Sequence, residues 1–333
     1  MKILTGDIGG TKTRIALLES AGGGLKTLQE ATYASRDHDS LTDILASFIA
    51  QQELRPQAAG FAIAGPVEGR TCNVTNLPWQ IDADELERRF SLPRVVLLND
   101  LEATAWGTGI LDASDLVSLQ QGADGAKGNR CVIAAGTGLG QAGVYWNGER
   151  HEPFASEGGH CDFAPRTALE FHLLSHLQRQ YGHVSWERVV SGPGLVAIYR
   201  FLCEYRSCPS SDTMAEKMRV QDPAAAIVDA ADREADPICA ETVQLFVSLY
   251  GSEAGNQALK HMATGGVYVG GGIAPKILRW LQLPDFIEAF RNKGQMQKLM
   301  EKMPVQVILS DRTALYGPAV YLLEQNRKRS SRP

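Results

Sequence analysis

An α/β fold in two domains is predicted by three features of this chain: its length, an alternation of strand-like and helix-like segments over the first hundred residues, and a second beginning near residue 131. At 333 residues the chain exceeds the size at which a single core remains the easy solution. Apolar residues make up 44 % and charged residues 21 %, ordinary globular usage, so each domain has material for its own core.

Residues 2–8, 12–19 and 27–33 read as three strands, with Gly22, Gly23 and Gly24 turning the second into the third. Ser40 then precedes Leu41, Ile44, Leu45, Phe48 and Ile49. That i, i+3, i+4, i+7, i+8 spacing predicts an amphipathic helix over 41–54, with Asp43 placed to complete a capping box. The run Ala58–Ala64 reads as a buried strand. A helix over 82–90 leads into Val95–Leu98, an apolar run expected as an interior parallel strand ending at Asn99-Asp100. The expected order is βββαβαβ. The second beginning consists of Cys131–Ala135, a glycine loop and the strand-like Gly143–Trp146. Helical spacing then dominates 168–263, where Val243, Phe246, Val247 and Tyr250 form one stripe. Strands return at Gly266–Val269 and Val305–Leu309, and a helix over 313–326 follows. The domain boundary near 110–130 rests on the restart alone.

Several function classes are disfavoured by composition. A net charge of −5 offers no electrostatic footprint for nucleic acid. The basic tail Arg327, Lys328, Arg329 and Arg332 is expected to be a frayed, solvated end. No stretch approaches the ~20 apolar residues of a membrane span. The opening Met1–Asp7 meets an acidic residue at once and reads as a strand, not a secretory leader. Six cysteines lie scattered without CxxC spacing, which fits neither a disulfide framework nor a zinc knuckle and suits a reducing cytoplasm.

Chemistry is suggested by three glycine clusters. Gly6-Asp7-Ile8-Gly9-Gly10-Thr11-Lys12-Thr13 joins two strands, so its backbone N–H groups are open to a phosphate, or it is simply a tight hairpin. It is not a Walker A loop, because Thr11 stands where the second glycine is needed and a strand follows in place of a helix. The second cluster, Gly136-Thr137-Gly138-Leu139-Gly140 and onward to Gly143, holds a formal GxGxxG. Val144-Tyr145-Trp146 continues it as a strand, so the dinucleotide fingerprint fails its context test. The third, Gly265–Ile273, has small residues that let a flat base lie close to backbone, or flank an ordinary strand with turns.

The order and spacing of these clusters resemble the sugar kinase and actin superfamily, and within it the bacterial glucokinase family, over essentially the whole chain. Gly6–Thr11 is similar to its first phosphate motif, Gly136–Gly140 to its second and Gly270–Ile273 to its adenosine motif. Asn99-Asp100, Glu157-Gly158-Gly159-His160, Glu187 and Ser191–Leu195 complete the match. Lys12-Thr13 departs from it, since many relatives carry a neutral pair there.

The resemblance implies two actin-like (ribonuclease H-like) domains with a nucleotide and sugar cleft between them. The smaller would comprise residues 1–110 with 311–333, and the larger 111–310. It implies ATP-dependent phosphorylation of glucose at its 6-hydroxyl. Gly6, Asp7, Ile8, Gly9, Gly10, Thr11, Gly136, Thr137, Gly138, Gly270 and Gly271 would hold ATP, and Asp7 would hold Mg²⁺ through water. It further implies a homodimer.

The position of Asn99-Asp100 at the carboxyl end of an apolar strand is where open α/β sheets place ligands. A carboxylate accepting the hydroxyl proton is worth ~10²–10⁴ in rate, and Asp100 is the expected general base. The pair also suits a helix cap at Leu101. Asn99, Asp100, Glu157, His160 and Glu187 are the expected sugar contacts by resemblance, because a carboxylate takes two adjacent hydroxyls at once. On its own the Glu157–His160 tetrad could equally be a surface turn. His172 and His176 have metal-pair spacing but no glutamate between them, and read as a helix face. Related repressors and kinases of the open-reading-frame group carry a cysteine-rich zinc loop where Cys161 here stands alone, and no helix-turn-helix precedes Gly6. The rival readings are a kinase for fructose, mannose or an N-acetylhexosamine, and an inactive sugar-binding regulator. Asp7 and Asp100 count against the second.

Overall fold

β1 (Lys2–Ile8) turns through Gly9–Thr11 into β2 (Lys12–Ala21), and β3 (Gly24–Ala34) continues the antiparallel meander. The computed structural model describes residues 1–21, 24–50 and 56–330. Gly22 and Gly23, residues 51–54 of the expected first helix, and Arg332 lie outside the described residues. The chain divides into two units: Met1–Ser114 with Glu152–Ala155 and the residues from Ser310 onward, and Asp115–His151 with Ser156–Leu309.

In the first unit α1 (Leu41–Ala50) begins where the capping box is expected, since Ser40 Oγ accepts the Asp43 N–H at 3.2 Å and donates to the Asp43 carboxylate at 2.8 Å. β4 (Ala58–Ile63) follows, buried along its whole length. Three short strands not expected from the sequence come next: β5 (Val67–Glu68), β6 (Thr71–Asn73) and β7 (Gln80–Asp82), which form a small antiparallel sheet. Two or three residues are too few to show a period of two. α2 (Ala83–Phe90), β8 (Val95–Asn99) and α3 (Asp100–Gly107) complete this stretch.

The main sheet has the order β3-β2-β1-β4-β8, with β1, β4 and β8 parallel. Alternation along β1 and β2 sends Leu4, Ile15 and Leu17 into one core with α1 and α2. It sends Ile3, Ala16 and Leu18 into another beneath the helix α12 (Thr313–Ser330).

The second unit contains β9 (Leu116–Gln120), β10 (Arg130–Ala135) and β11 (Leu139–Trp146); of β12 (His151–Ser156) it holds only the two end residues, since Glu152–Ala155 belong to the first unit. Five helices fill the expected helical region: α4 (Ala168–Tyr181), α5 (Gly192–Tyr205), α6 (Asp212–Val220), α7 (Pro223–Asp232) and α8 (Pro237–His261). β13 (Gly266–Gly270), α9 (Leu278–Leu281), α10 (Pro284–Arg291), α11 (Gln297–Met300) and β14 (Val305–Ile308) follow. The sheet order is β12-β11-β10-β13-β14-β9. In both sheets the leading strand of a hairpin is followed by two parallel strands added in succession, β1 by β4 and then β8, β10 by β13 and then β14, so the recurrence read near residue 131 is a recurrence of topology. The stripe Val243, Phe246, Val247 and Tyr250 of α8 is fully buried.

α12 (Thr313–Ser330) extends past the expected end. The basic tail is therefore not frayed where it is described: Arg327 pairs with Glu324 one turn back at 2.6 Å, and Lys328 with Glu152 at 3.1 Å. α12 approaches α3 so closely that a Cβ on Gly317 would overlap the Ala103 carbonyl. Gly317→Ala should therefore destabilise the protein by ~1–3 kcal/mol despite its better helix propensity, which a thermal melt will read as a lowered Tm.

Candidate active site

The first glycine loop is braced from below. Ser35 Oγ donates to the Gly9 carbonyl at 2.7 Å and lies 3.0 Å from Thr13 Oγ1, and the Ser35 N–H donates to Thr11 O at 3.0 Å. Thr13 of the departing Lys12-Thr13 pair is thus a buried structural residue, while Lys12 is exposed. Gly6 and Ile8 are buried in β1, Gly6 beneath Phe61 and Ile15, so the accessible part of the motif is Asp7 and Gly9–Thr11. The N–H groups of Gly10 and Thr11 have no acceptor among the described residues.

Asp7 faces Arg14 across the β1–β2 pair. Arg14 is held by Asp311, with Nη2 donating to its carboxylate at 2.8 Å and Nη1 to its carbonyl at 3.0 Å, and it lies 3.7 Å from Glu30. Burial pushes the Asp7 carboxyl up to about 6, the Arg14 cation opposes this, and the Asp311 charge adds to it. A half-buried carboxylate disfavoured as an anion is one that a hard cation would relieve. No group of three or more His, Cys, Asp or Glu among the described residues could enclose a metal. One carboxylate supplemented by water and phosphate oxygens is the manner in which Mg²⁺ is usually held.

Asn99 and Asp100 serve the helix as well as the candidate chemistry. Asn99 Oδ1 accepts the Leu101 N–H at 2.9 Å, capping α3, and its Nδ2 donates to Gly65 O at 3.2 Å. Asp100 opens α3 and accepts the same Leu101 N–H at 2.9 Å, at the positive end of the helix where a carboxylate is favoured. Burial, followed by the Asp100 charge, pushes the Cys72 thiol up to about 11, so this thiol is inert at neutral pH.

In the second unit the candidate residues meet around Leu139, the first residue of β11. Its N–H donates to Glu187 Oε2 at 3.0 Å. Its carbonyl lies under Gly159 so closely that any side chain there would overlap it. Glu157 and His160, at the two ends of the turn built on Gly158 and Gly159, bring their side chains to 3.9 Å and leave both largely exposed. Gly136–Gly138 precedes Leu139 directly, and the Gly136 carbonyl accepts the Gly192 N–H at 2.8 Å. Ser191 ties the remaining piece, donating to Glu187 O at 2.7 Å and accepting the Gly194 N–H at 3.1 Å to cap α5. Glu157, His160, Glu187, Gly136, Thr137 and Gly138 therefore form one cluster.

Beside that cluster opens a cavity of about 680 Å³, a size suited to a small ligand. Gly136 and Thr137 form one wall, and the start of α5 and α7 another. Of the third glycine cluster Gly272 and Ile273 line it, whereas Gly270 ends β13 as a buried residue and Gly271 makes the turn with φ of +83°. The N–H groups of Gly192 and Gly194 are already bonded and Pro193 has none, so α5 offers no donor there. Thr137 and Gly138 N–H have no acceptor among the described residues, and Arg200 and Lys276 supply positive charge, two cations that no sequence motif marked. His176 also lines the cavity, 3.4 Å from Glu204.

A family model described as Glucokinase matches residues 4–325. The chain belongs to the glucokinase family. Membership carries the family's reaction, ATP-dependent phosphorylation of glucose. The chain is 41 % identical to the glucokinase of Trichormus variabilis, covering 96 % of this chain and 98 % of that one. A solved glucokinase from an Antarctic psychrotroph is 31 % identical with a TM-score of 0.86, covering 97 % and 99 % of the two chains. A ROK family glucokinase from Streptomyces griseus, solved with glucose and AMPPNP, is 23 % identical with a TM-score of 0.63 over 98 % of this chain and all of that one. That second likeness is one of fold, the two-domain actin-like fold.

The raised Asp7 carboxyl has a measurable consequence for this glucokinase. Between 3.8, its ordinary value, and about 6 the unfolded chain has lost a proton that the folded chain keeps, so this group makes stability fall as pH rises through that window. Asp7→Asn should raise the Tm of the ligand-free protein at pH 7.5 by the equivalent of at most ~3 kcal/mol. At pH 4 the two proteins should melt together.

Proposed function

We propose that Asp100 is the general base of this glucokinase, and that Asn99, Glu157, His160 and Glu187 hold the sugar whose 6-hydroxyl it deprotonates. The observation that carries this reading is the convergence of Glu187, the Glu157–His160 turn and the second glycine loop on the single residue Leu139. Recognition groups and phosphate-binding backbone are thereby fixed to one another within ångströms, as phosphoryl transfer needs.

The hydroxyl oxygen attacks the γ-phosphorus of ATP as its bond to the β-γ bridging oxygen breaks. The hydroxyl proton passes to Asp100, and ADP leaves with the bond's electron pair. Unbonded N–H groups at Gly10, Thr11, Thr137 and Gly138 receive the phosphate oxygens, and Arg200 and Lys276 add charge along the cavity that takes the nucleoside. Asp7 would hold Mg²⁺ through water, and that ion supplies charge neutralisation at the phosphates. Residues 1–110 with 311–333 act as the small domain and 111–310 as the large one.

The reading puts the enzyme in the cytoplasm. Six free cysteines, as a reducing compartment keeps them, support this. A homodimer is carried by the family resemblance.

In a coupled ADP-release assay Asp100→Asn should lower kcat by ~10²–10⁴ with glucose KM within a few fold, and a kcat near wild type would remove Asp100 from the role. Because a missing hydroxyl leaves its polar partners unpaired in the bound complex, 3-deoxyglucose should lose up to ~10⁴-fold in kcat/KM against glucose. Lys276→Ala should raise the KM for ATP ~10-fold and leave that for glucose unchanged.

A further inference from the structure

The Glu157–His160 turn stands on a polar support inside the second unit. α8 buries Glu253 completely, a costly place for a carboxylate unless its oxygens are taken. Both are: Oε1 accepts from Gln141 Nε2 at 2.8 Å, and Oε2 accepts from Asn256 Nδ2 at 3.0 Å. Asn256 in turn accepts from the Lys293 ammonium at 2.6 Å, and that ammonium also donates to Ser252 O at 2.9 Å.

Gln141 carries this network outward. It lies on β11 two residues beyond Leu139 and is 3 % exposed. With its Nε2 committed to the Glu253 carboxylate, its amide has one allowed orientation, since the flipped form would set oxygen against oxygen. Its Oε1 therefore faces Gly158, so closely that a Cβ on that glycine would overlap it. Gly158 is the residue after Glu157, and its carbonyl accepts the Cys161 N–H at 3.1 Å to close the turn.

We propose that the buried Glu253–Gln141 pair is a positioning device for sugar recognition: it fixes the floor on which Gly158 rests, and so sets where the Glu157 carboxylate and the His160 ring meet the hexose. The proposal rests on the reading of Glu157 and His160 as sugar contacts. Stability alone gives no reason for the charge, because a well-packed apolar side chain usually replaces a buried ionic group at no loss. A fixed floor does give one, because a carboxylate is the acceptor that holds an amide in a single orientation.

The experiment measures KM for glucose, KM for ATP, kcat and Tm on the full chain. Gln141→Met keeps the volume and removes both the donor and the oxygen floor, and Glu253→Gln keeps the shape and removes the charge. Each is expected to raise glucose KM ~10-fold or more with ATP KM within about twofold, and to speed amide hydrogen exchange over residues 158–161. Gln257→Leu is the comparison for a merely structural loss. One turn further along α8, Gln257 is equally buried but donates to the backbone, to Val132 O at 3.1 Å and Ala142 O at 3.5 Å, and is not among the groups against Gly158, so its loss should lower Tm without moving glucose KM. If Gln141→Met fails to fold, Gln141→Asn, which withdraws the amide from both Glu253 and Gly158, is read in the same way. An unchanged glucose KM in the folded Gln141 and Glu253 variants overturns the proposal, as does an equal rise in Gln257→Leu. Glu157→Gln separates the two layers. If it raises glucose KM while the Gln141 variants do not, only the positioning role falls. If it has no effect, the sugar-site reading falls and the proposal with it.

Discussion

The peptide of Leu139 has its N–H taken by the Glu187 carboxylate and its carbonyl covered by Gly159, and the candidate chemistry of the second unit depends on that arrangement. Leu139 is also the first residue of β11, paired with Ala135 at the end of β10, so the Gly136–Gly138 loop is the connection between two strand ends that cannot separate. A displacement of the loop either breaks a charge-assisted hydrogen bond or drives Gly159 into a carbonyl, and neither is cheap in a packed interior. The three elements therefore move together.

α8 secures the same strand ends from beneath. The Tyr250 hydroxyl accepts the Ala135 N–H at 3.1 Å and lies within hydrogen-bonding distance of the carbonyls of Ile133 and Gly270, which stitches the ends of β10 and β13 together where both glycine clusters begin. One turn on, Glu253 reaches β11 through Gln141. The middle of this helix, from Leu249 to Gly255, is buried all round, which is why its polar residues must find partners on strands. The first unit is built differently. Its core follows from apolar alternation, with Ser35 under the loop and Arg14 beside Asp7 among its polar ties.

The long elements were legible because their spacing is strong: the capping box before α1, the fully apolar β4 and the stripe of α8 all appear where the pattern put them. The glycine loops were legible as strand-turn-strand because a strand-like run follows each. The three short strands between β4 and α2 carried no periodic signal, and the basic tail read as frayed because its partners, Glu152 among them, are remote in sequence or visible only once the helix continues. Asn99-Asp100 illustrates a limit of another kind, since capping and the proposed chemistry ask for the same residues at the same place, and the hydrogen bonds seen there are those of the cap. Ser35, Asp311, Gln141, Arg200 and Lys276 had no local signature at all. Each acquires its position from strand pairing or helix packing over long sequence separations, and no single-chain pattern encodes that.

The division of the chain has a consequence for synthesis on the ribosome. Apart from a short excursion at Glu152–Ala155, the second unit is drawn from one continuous stretch that ends at Leu309, so its strands are all available before the last residues are made. The first unit has no such independence. One face of its sheet, with Ile3, Ala16, Leu18 and Ala58, is covered by Leu315, Ala319 and Leu322 of α12, roughly three hundred residues downstream. During translation at ~5–20 residues per second, that apolar face waits uncovered for ~15 s or longer. The order of assembly is then the reverse of the order of the sequence: the half that is translated first is completed last, and a nascent chain has its greatest need of chaperone protection while its opening strands wait for its final helix.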